Sequence, residues 1–235
     1  MKKITSVLFL FYCFSVGWAQ TVPPCTLEIT DAETFARDWT VIDVNSDVSA
    51  NTWAYNDGNA MYAQDTRNAA DDWLIAPAVT LEAGKAYKVS AYVKHDGMTF
   101  DKQKIELKIG TAPTVEGLTT RLVYDESFQS KLFVEKSGTF SPAESGVFYV
   151  GLHCSSGSYM GDLYFQKIVI EEAPVYPAQI TDLSIVAGER GAMSATLSWT
   201  WPSSDHLGGA LSNLLGAKIY WGTDLVATLD TATVG

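Results

Sequence analysis

The chain has 235 residues, of which 47% are apolar and 12% aromatic, with 16 Lys and Arg against 27 Asp and Glu for a formal charge of −11. That much apolar material can fill a core, and the acidic balance works against nucleic acid and anionic membrane as partners. The charge also suits a hard cation, although acidity serves equally well simply to keep a protein soluble.

The N-terminus reads as a signal peptide spanning residues 1–19. Lys2 and Lys3 form a positive start, Ile4 to Val16 an apolar run too short to span a bilayer, and Gly17 and Ala19 the small residues before a cut that would leave Gln20 first. Without that segment, which holds two lysines and no acid, the charge becomes −13. Secretion or display on the cell surface follows, with no membrane insertion after cleavage. Cys13 leaves with the leader, so Cys25 and Cys154 remain. They could form one disulfide, or Cys154 could be a buried small hydrophobe on the face of Phe148, Val150 and Leu152.

Residues 20–173 form the first predicted domain. The only helix candidate is Asp31 to Arg37, with Thr30 or Asp31 as its cap. Elsewhere the period is two. Asp71-Asp72-Trp73-Leu74-Ile75 reads as a short buried strand. Tyr87, Val89, Ala91 and Val93 oppose Lys88, Ser90, Tyr92 and Lys94; Ile105, Leu107 and Ile109 oppose Lys104, Glu106 and Lys108; Phe148, Val150 and Leu152 oppose Tyr149, Gly151 and His153. Turn residues such as Ala83-Gly84, Asp96-Gly97 and Ser156-Gly157 separate these runs. The expected class is all-β: an antiparallel jelly-roll β-sandwich. Pro174 and Pro177 end this unit, and residues 174–235 form the second.

Asp43-Val44-Asn45-Ser46-Asp47 places side-chain oxygens at i, i+2 and i+4, where they could converge on calcium. It is not an EF-hand, because Val48 stands where Gly is required and Ala54 where Glu is required. Glu28, or Asp71 and Asp72, could complete the ligand set. Alternatively the turn simply bonds its own backbone. Trp53, Tyr55 and Tyr159 lie in polar or Gly-rich segments and are candidates for an exposed aromatic platform; Trp39 and Trp73 fall within apolar strand patterns and read as core. No catalytic residues are expected. There is no Gly-x-Ser-x-Gly elbow, no His-Glu-x-x-His and no phosphate-binding glycine loop, and Asp71 and Asp72, adjacent on a strand, point to opposite faces.

An ordered set of these pieces resembles a known family. Glu28, Trp39-Thr40-Val41-Ile42-Asp43, Trp53, Asp71 to Ile75, Phe148 to His153 and Asp162 to Ile170 are similar to the cleaved-adhesin, or choice-of-anchor J, jelly-roll domains of bacterial surface proteins, which include the adhesin domains of the gingipains. The resemblance covers nearly all of residues 20–173 and implies a non-catalytic module that binds host protein or glycan, with structural calcium at Glu28, Asp43, Asn45, Asp47 and Asp72. Gln166 departs from it, since the family often has Asp there.

The second unit reads as strands at Ile180 to Val186, Ala195 to Pro202, Ala217 to Trp221 and Leu225 to Leu229. It is similar to the opening half of a fibronectin type III domain, with Trp199 and Tyr220 at core aromatic positions. Because such sandwiches need about seven strands, the expectation is a partial domain with further C-terminal domains beyond Gly235. The leading function is thus a secreted adhesin-like binding module. The alternatives are a carbohydrate-binding accessory of a larger secreted enzyme and a structural spacer in a surface assembly.

Overall fold

A computed structural model describes residues 21–47, 51–63, 67–98, 100–191, 194–206, 208–211 and 213–232; the predicted leader lies outside them. The elements are β1 (Cys25–Glu28), α1 (Ala32–Asp38), β2 (Thr40–Asp43), β3 (Trp53–Asn56), β4 (Asn59–Tyr62), β5 (Asp72–Ile75), β6 (Val79–Leu81), β7 (Ala86–His95), β8 (Gln103–Gly110), β9 (Thr120–Phe128), β10 (Val134–Phe140), β11 (Gly146–Cys154) and β12 (Leu163–Ala173), followed by β13 (Ser184–Ala187), β14 (Ala195–Ser198), β15 (Ala217–Trp221) and β16 (Asp224–Leu229). The described residues are all-β apart from α1, as the period-two patterning predicts. Asp31 caps α1, its carboxylate accepting from the Thr34 amide at 2.7 Å.

Strands β1 to β12 form two six-stranded antiparallel sheets of a jelly-roll sandwich. One runs β10-β7-β12-β4-β3 with β1 also on β12; the other runs β2-β5-β11-β8-β9 with β6 also on β11. The register puts Val41, Leu74, Leu152, Leu107 and Val123 side by side across the second sheet, facing the interior. They meet Val89, Ala91, Val93, Phe165, Ile168 and Ile170 from the first. Of these, Val89, Ala91, Val93, Leu107 and Leu152 are the positions the alternation assigns to the core. Register between β12 and β7 shifts between Phe165 and Lys167, leaving Gln166 as the extra residue of a β-bulge.

Both Cys25 and Cys154 are free thiols. Cys25 pairs with Ile170 in the first sheet, whereas Cys154 sits at the end of β11 opposite Asp72, in the second. Of the two readings of Cys154 the buried hydrophobe holds, and burial pushes its thiol up to about 12. The segment after Ala173 carries its four strands as two separate two-stranded ribbons, β13-β14 and β15-β16.

Candidate functional site

The ends of β2, β5 and β11 gather the chemistry. Along the outer face of the second sheet the register aligns Ile42, Trp73, His153, Glu106 and Tyr124 in one row. The His153 and Trp73 rings stack at 4.2 Å with 5° between their planes. Asp71 Oδ1 lies 2.8 Å from His153 Nε2, and Glu106 Oε2 lies 3.7 Å from Nδ1, so carboxylates flank the imidazole on both sides. Glu106 is itself buried and bound by Arg121 at 2.5 Å and Lys108 at 3.3 Å, which spares it an unpaired buried charge. Trp73 is also buried, in a small second core with Ile75 and Leu118 on this outer face. Gly151 makes room for that core, because a side-chain carbon there would press into Leu118 and come within 3.2 Å of the Trp73 ring.

Beside the stack lies an open depression of about 640 Å³, lined by Asn45, Asp47, Arg67, Asn68, Asp71 and His153 among others. Its wall is set by hydrogen bonds of the 43–47 turn. Asp43 Oδ1 accepts from the Ser46 amide at 2.6 Å, Asn45 Nδ2 donates to the Ala69 carbonyl at 2.7 Å, and the Val44 amide donates to the Asp71 carbonyl at 2.9 Å. The depression offers amides, a guanidinium, carboxylates and an imidazole, which is the donor and acceptor mixture that polyhydroxyl ligands need.

Asp71 and Asp72 separate across the strand. Asp71 reaches outward to His153, and Asp72 turns inward, fully buried, opposite Asp43 and Cys154. Asp72 Oδ2 accepts from the Asp71 amide at 3.2 Å, but Oδ1 has no hydrogen-bond partner. The hydroxyls of Thr52 and Tyr62 are also buried without a partner; both lie near enough to bias this carboxyl, yet neither reaches hydrogen-bonding geometry. Burial, supplemented by the charges of Asp43 and Asp47, pushes the Asp72 carboxyl up to about 6. Burial raises the Tyr62 hydroxyl as well, with the thiol of Cys154 and the carboxyl of Asp72 adding to it.

Among the predicted calcium ligands, Asp43, Asn45, Asp47 and Asp72 therefore share one end of the sandwich. Glu28 does not join them. It sits on β1 opposite Lys167, 3.7 Å from that ammonium. Among the described residues no three His, Cys, Asp or Glu side chains are already grouped to hold a metal ion. The orphaned oxygens of Asp72, Tyr62 and Thr52 fit a hard cation in their chemistry.

The aromatic platform needs correction. Trp53 is only 2% exposed, its ring 5.9 Å from Tyr62 and its indole N–H donating to the Asp72 carbonyl at 3.3 Å, so it belongs to the core. Tyr55 is partly buried against the same core. Tyr159 alone is exposed, at 65%, and it is not among the residues lining the depression. His153, Glu106 and Arg121 were not expected at a site. The signal for His153 and Glu106 lies in polar residues at the outward positions of Lys104 to Ile109 and Phe148 to His153, legible only once those strands are known to be neighbours.

No family model matches the sequence, and no curated protein matches it. Solved structures do. The K1 cleaved adhesin domain of Lys-gingipain from Porphyromonas gingivalis aligns at 14% identity and a TM-score of 0.47, over 64% of this chain and 99% of that domain. The K3 cleaved adhesin domain of the same protein aligns at 12% and 0.46, over 62% and 97%. The CBM22-1 xylan-binding domain of Xyn10C from Paenibacillus barcinonensis aligns at 14% and 0.39, over 66% and 97%. At these values no residue roles are transferred, and the site stands on its own geometry.

Proposed function

We propose that the chain is a secreted or cell-surface, non-catalytic binding module that holds a glycan in the depression beside the Trp73–His153 stack. The observation that carries this reading is the set of amide, guanidinium, carboxylate and imidazole groups around one open hollow, with His153 held in place by Trp73 and Asp71. Prepositioned polar groups lose little entropy on pairing with sugar hydroxyls. The divergence of Asp71 and Asp72 supports a non-catalytic role, because carboxyls on opposite faces of a strand cannot flank one bond.

The second part of the proposal is a structural calcium ion taking oxygens from Asp43, Asn45, Asp47 and Asp72. Its support is the buried, unpartnered Asp72 oxygen beside two further acids. The residues after Ala173 would act as a fibronectin type III-like spacer, and a host protein as ligand, or service as the glycan-binding accessory of an enzyme, remain the competing assignments.

Affinity electrophoresis through gels containing soluble xylan, mixed-linkage β-glucan or mucin tests the glycan reading. The chain should be retarded in at least one, and Asp71→Asn and His153→Ala, in chains that remain folded, should each weaken retention at least about tenfold. A well-folded chain that migrates identically in all gels would refute the glycan assignment, and retention unaffected by both substitutions would move the site elsewhere.

A further inference from the structure

We propose that the loop tip bearing Met98, Phe100, Leu132 and Tyr159 docks on the surface of a lipid bilayer. These side chains are 78%, 91%, 76% and 65% exposed. They rise from three loops, after β7, after β9 and after β11, that the strand register brings to one end of the sandwich. Large apolar groups gathered in this way mark a contact surface.

The three loops are bound into one body. The His95 amide donates to the Ser130 carbonyl at 2.7 Å and the Asp96 amide to the Asp162 carbonyl at 2.9 Å. Gln129 Nε2 donates to the carbonyls of Met98 and Asp101, at 3.2 and 3.0 Å, and Lys131 Nζ donates to the Gly97 carbonyl. Gly97 and Gly161 pack backbone to backbone, leaving no room for a side chain on Gly161. Beneath them two buried side chains aim at the third loop. His95 Nε2 meets the Met160 carbonyl at 2.6 Å, and Gln103 Nε2 donates to the carbonyls of Met160 and Gly161 at 3.1 and 2.6 Å. This framework holds Tyr159 at φ 62°, a left-handed conformation that a bulky residue adopts only when its surroundings impose it. The ring is therefore presented outward by a rigid base.

The same bonds decide the occupant. The carbonyls of Gly97, Met98, Asp101, Met160 and Gly161 each accept a hydrogen bond from a protein side chain, and that of Leu132 accepts from Ser130 Oγ at 2.7 Å. Each carbonyl paired in this way can leave water for an apolar medium without being stranded. The tip's apolar side chains stand 65% to 91% exposed on turns, so a protein partner would have to supply the matching surface, whereas a bilayer interface yields around it. Charge is locally permissive despite the acidic total. Lys94, Lys102, Lys104 and Lys131 balance Asp96, Asp101, Glu135 and Asp162 in these loops and their flanks, while the Asp101 carboxylate is turned inward onto the Met98 amide at 2.5 Å. Lys131 is held on the Gly97 carbonyl and Lys94 over the Tyr164 ring at 4.2 Å, which leaves Lys102 and Lys104 to extend to lipid phosphates. No helix among the described residues is long and apolar enough to cross a membrane.

The test is co-sedimentation of the full chain with phosphatidylcholine vesicles, with and without a minority of phosphatidylserine. The chain should partition onto them, and the double substitution Phe100→Ser, Leu132→Ser should reduce partition at least about tenfold with an unchanged melting temperature. A Phe100→Trp reporter should blue-shift when vesicles are added. Trp221→Ser, in the exposed ribbons of the second unit, should leave partition intact. No binding to either vesicle overturns the proposal and leaves the tip to a protein contact. Binding lost with Trp221→Ser, or retained by the double variant, overturns it as well.

Discussion

The two halves of the chain carry the same alternating pattern and reach opposite outcomes. In the sandwich, Val89, Ile109 and Phe165 are fully buried, whereas in the later ribbons Ile185 is 64% exposed and Trp221 83%. Both regions contain β-branched, apolar strands bounded by turns. The difference is the number of partners. Each core strand of the sandwich faces a second six-stranded sheet, while β13-β14 and β15-β16 are two-stranded. Between the ribbons Leu183, Leu197, Trp199, Ile219 and Tyr220 line an open hollow of about 270 Å³. Two strands cannot cover their own apolar face. Alternation therefore specifies a strand, and only a facing sheet turns that strand into a source of stability.

The sharpest way to break this contrast is Phe165→Ala. The ring is fully buried and meets Trp39 edge to face at 5.2 Å. Removing it should cost about 3–5 kcal/mol in urea unfolding, and a cost below about 1 kcal/mol would mean the sandwich interior is not close-packed. Asp72→Asn comes next. A carboxyl raised to about 6 when folded, against an ordinary value near 3.9 when unfolded, stabilises the fold below about pH 4 and loses that contribution as pH rises through 6. At pH 7 in chelator the neutral isostere should stabilise the fold by roughly 2–3 kcal/mol and flatten the fall between pH 4 and 6. In millimolar calcium the ion should raise the melting temperature of the parent chain and leave the Asn variant unmoved. Destabilisation in chelator would show that Asp72 is not a strained carboxyl, and a parent chain indifferent to calcium would remove the ion from the proposal.

The residues also show what sequence can and cannot convey. Tyr87 to Val93 and Phe148 to Leu152 were legible as core strands because their apolar residues alternate against a buried face, and Asp72 to Ile75 because its short apolar run marks a strand buried on both faces. β9 was not, since its pairing with β8 slips at two places and its apolar residues Leu122 and Val123 fall side by side. The 43–47 turn was legible because its oxygens are local. The His153 cluster was not, because His153, Trp73 and Glu106 become neighbours only through the order β5-β11-β8. Trp53 was misplaced for the complementary reason. Its Asn- and Asp-rich neighbours suggested solvent, but Tyr62 and Asp72, which cover it, come from other strands.

The smallest expected effect is the most informative about the second unit. Trp221 ends β15, and its ring stands almost entirely in water. Truncating it to Ser removes little apolar surface that folding had buried, so the unfolding free energy should change by less than about 0.5 kcal/mol. The same substitution in a packed sandwich would resemble Phe165→Ala. A cost above about 1.5 kcal/mol would show that the ribbons acquire a covering surface in solution, and the halves would then differ in when their apolar faces are covered instead of whether they are. A cost near zero would leave the stability of the chain where the opposed sheets place it, between β1 and β12.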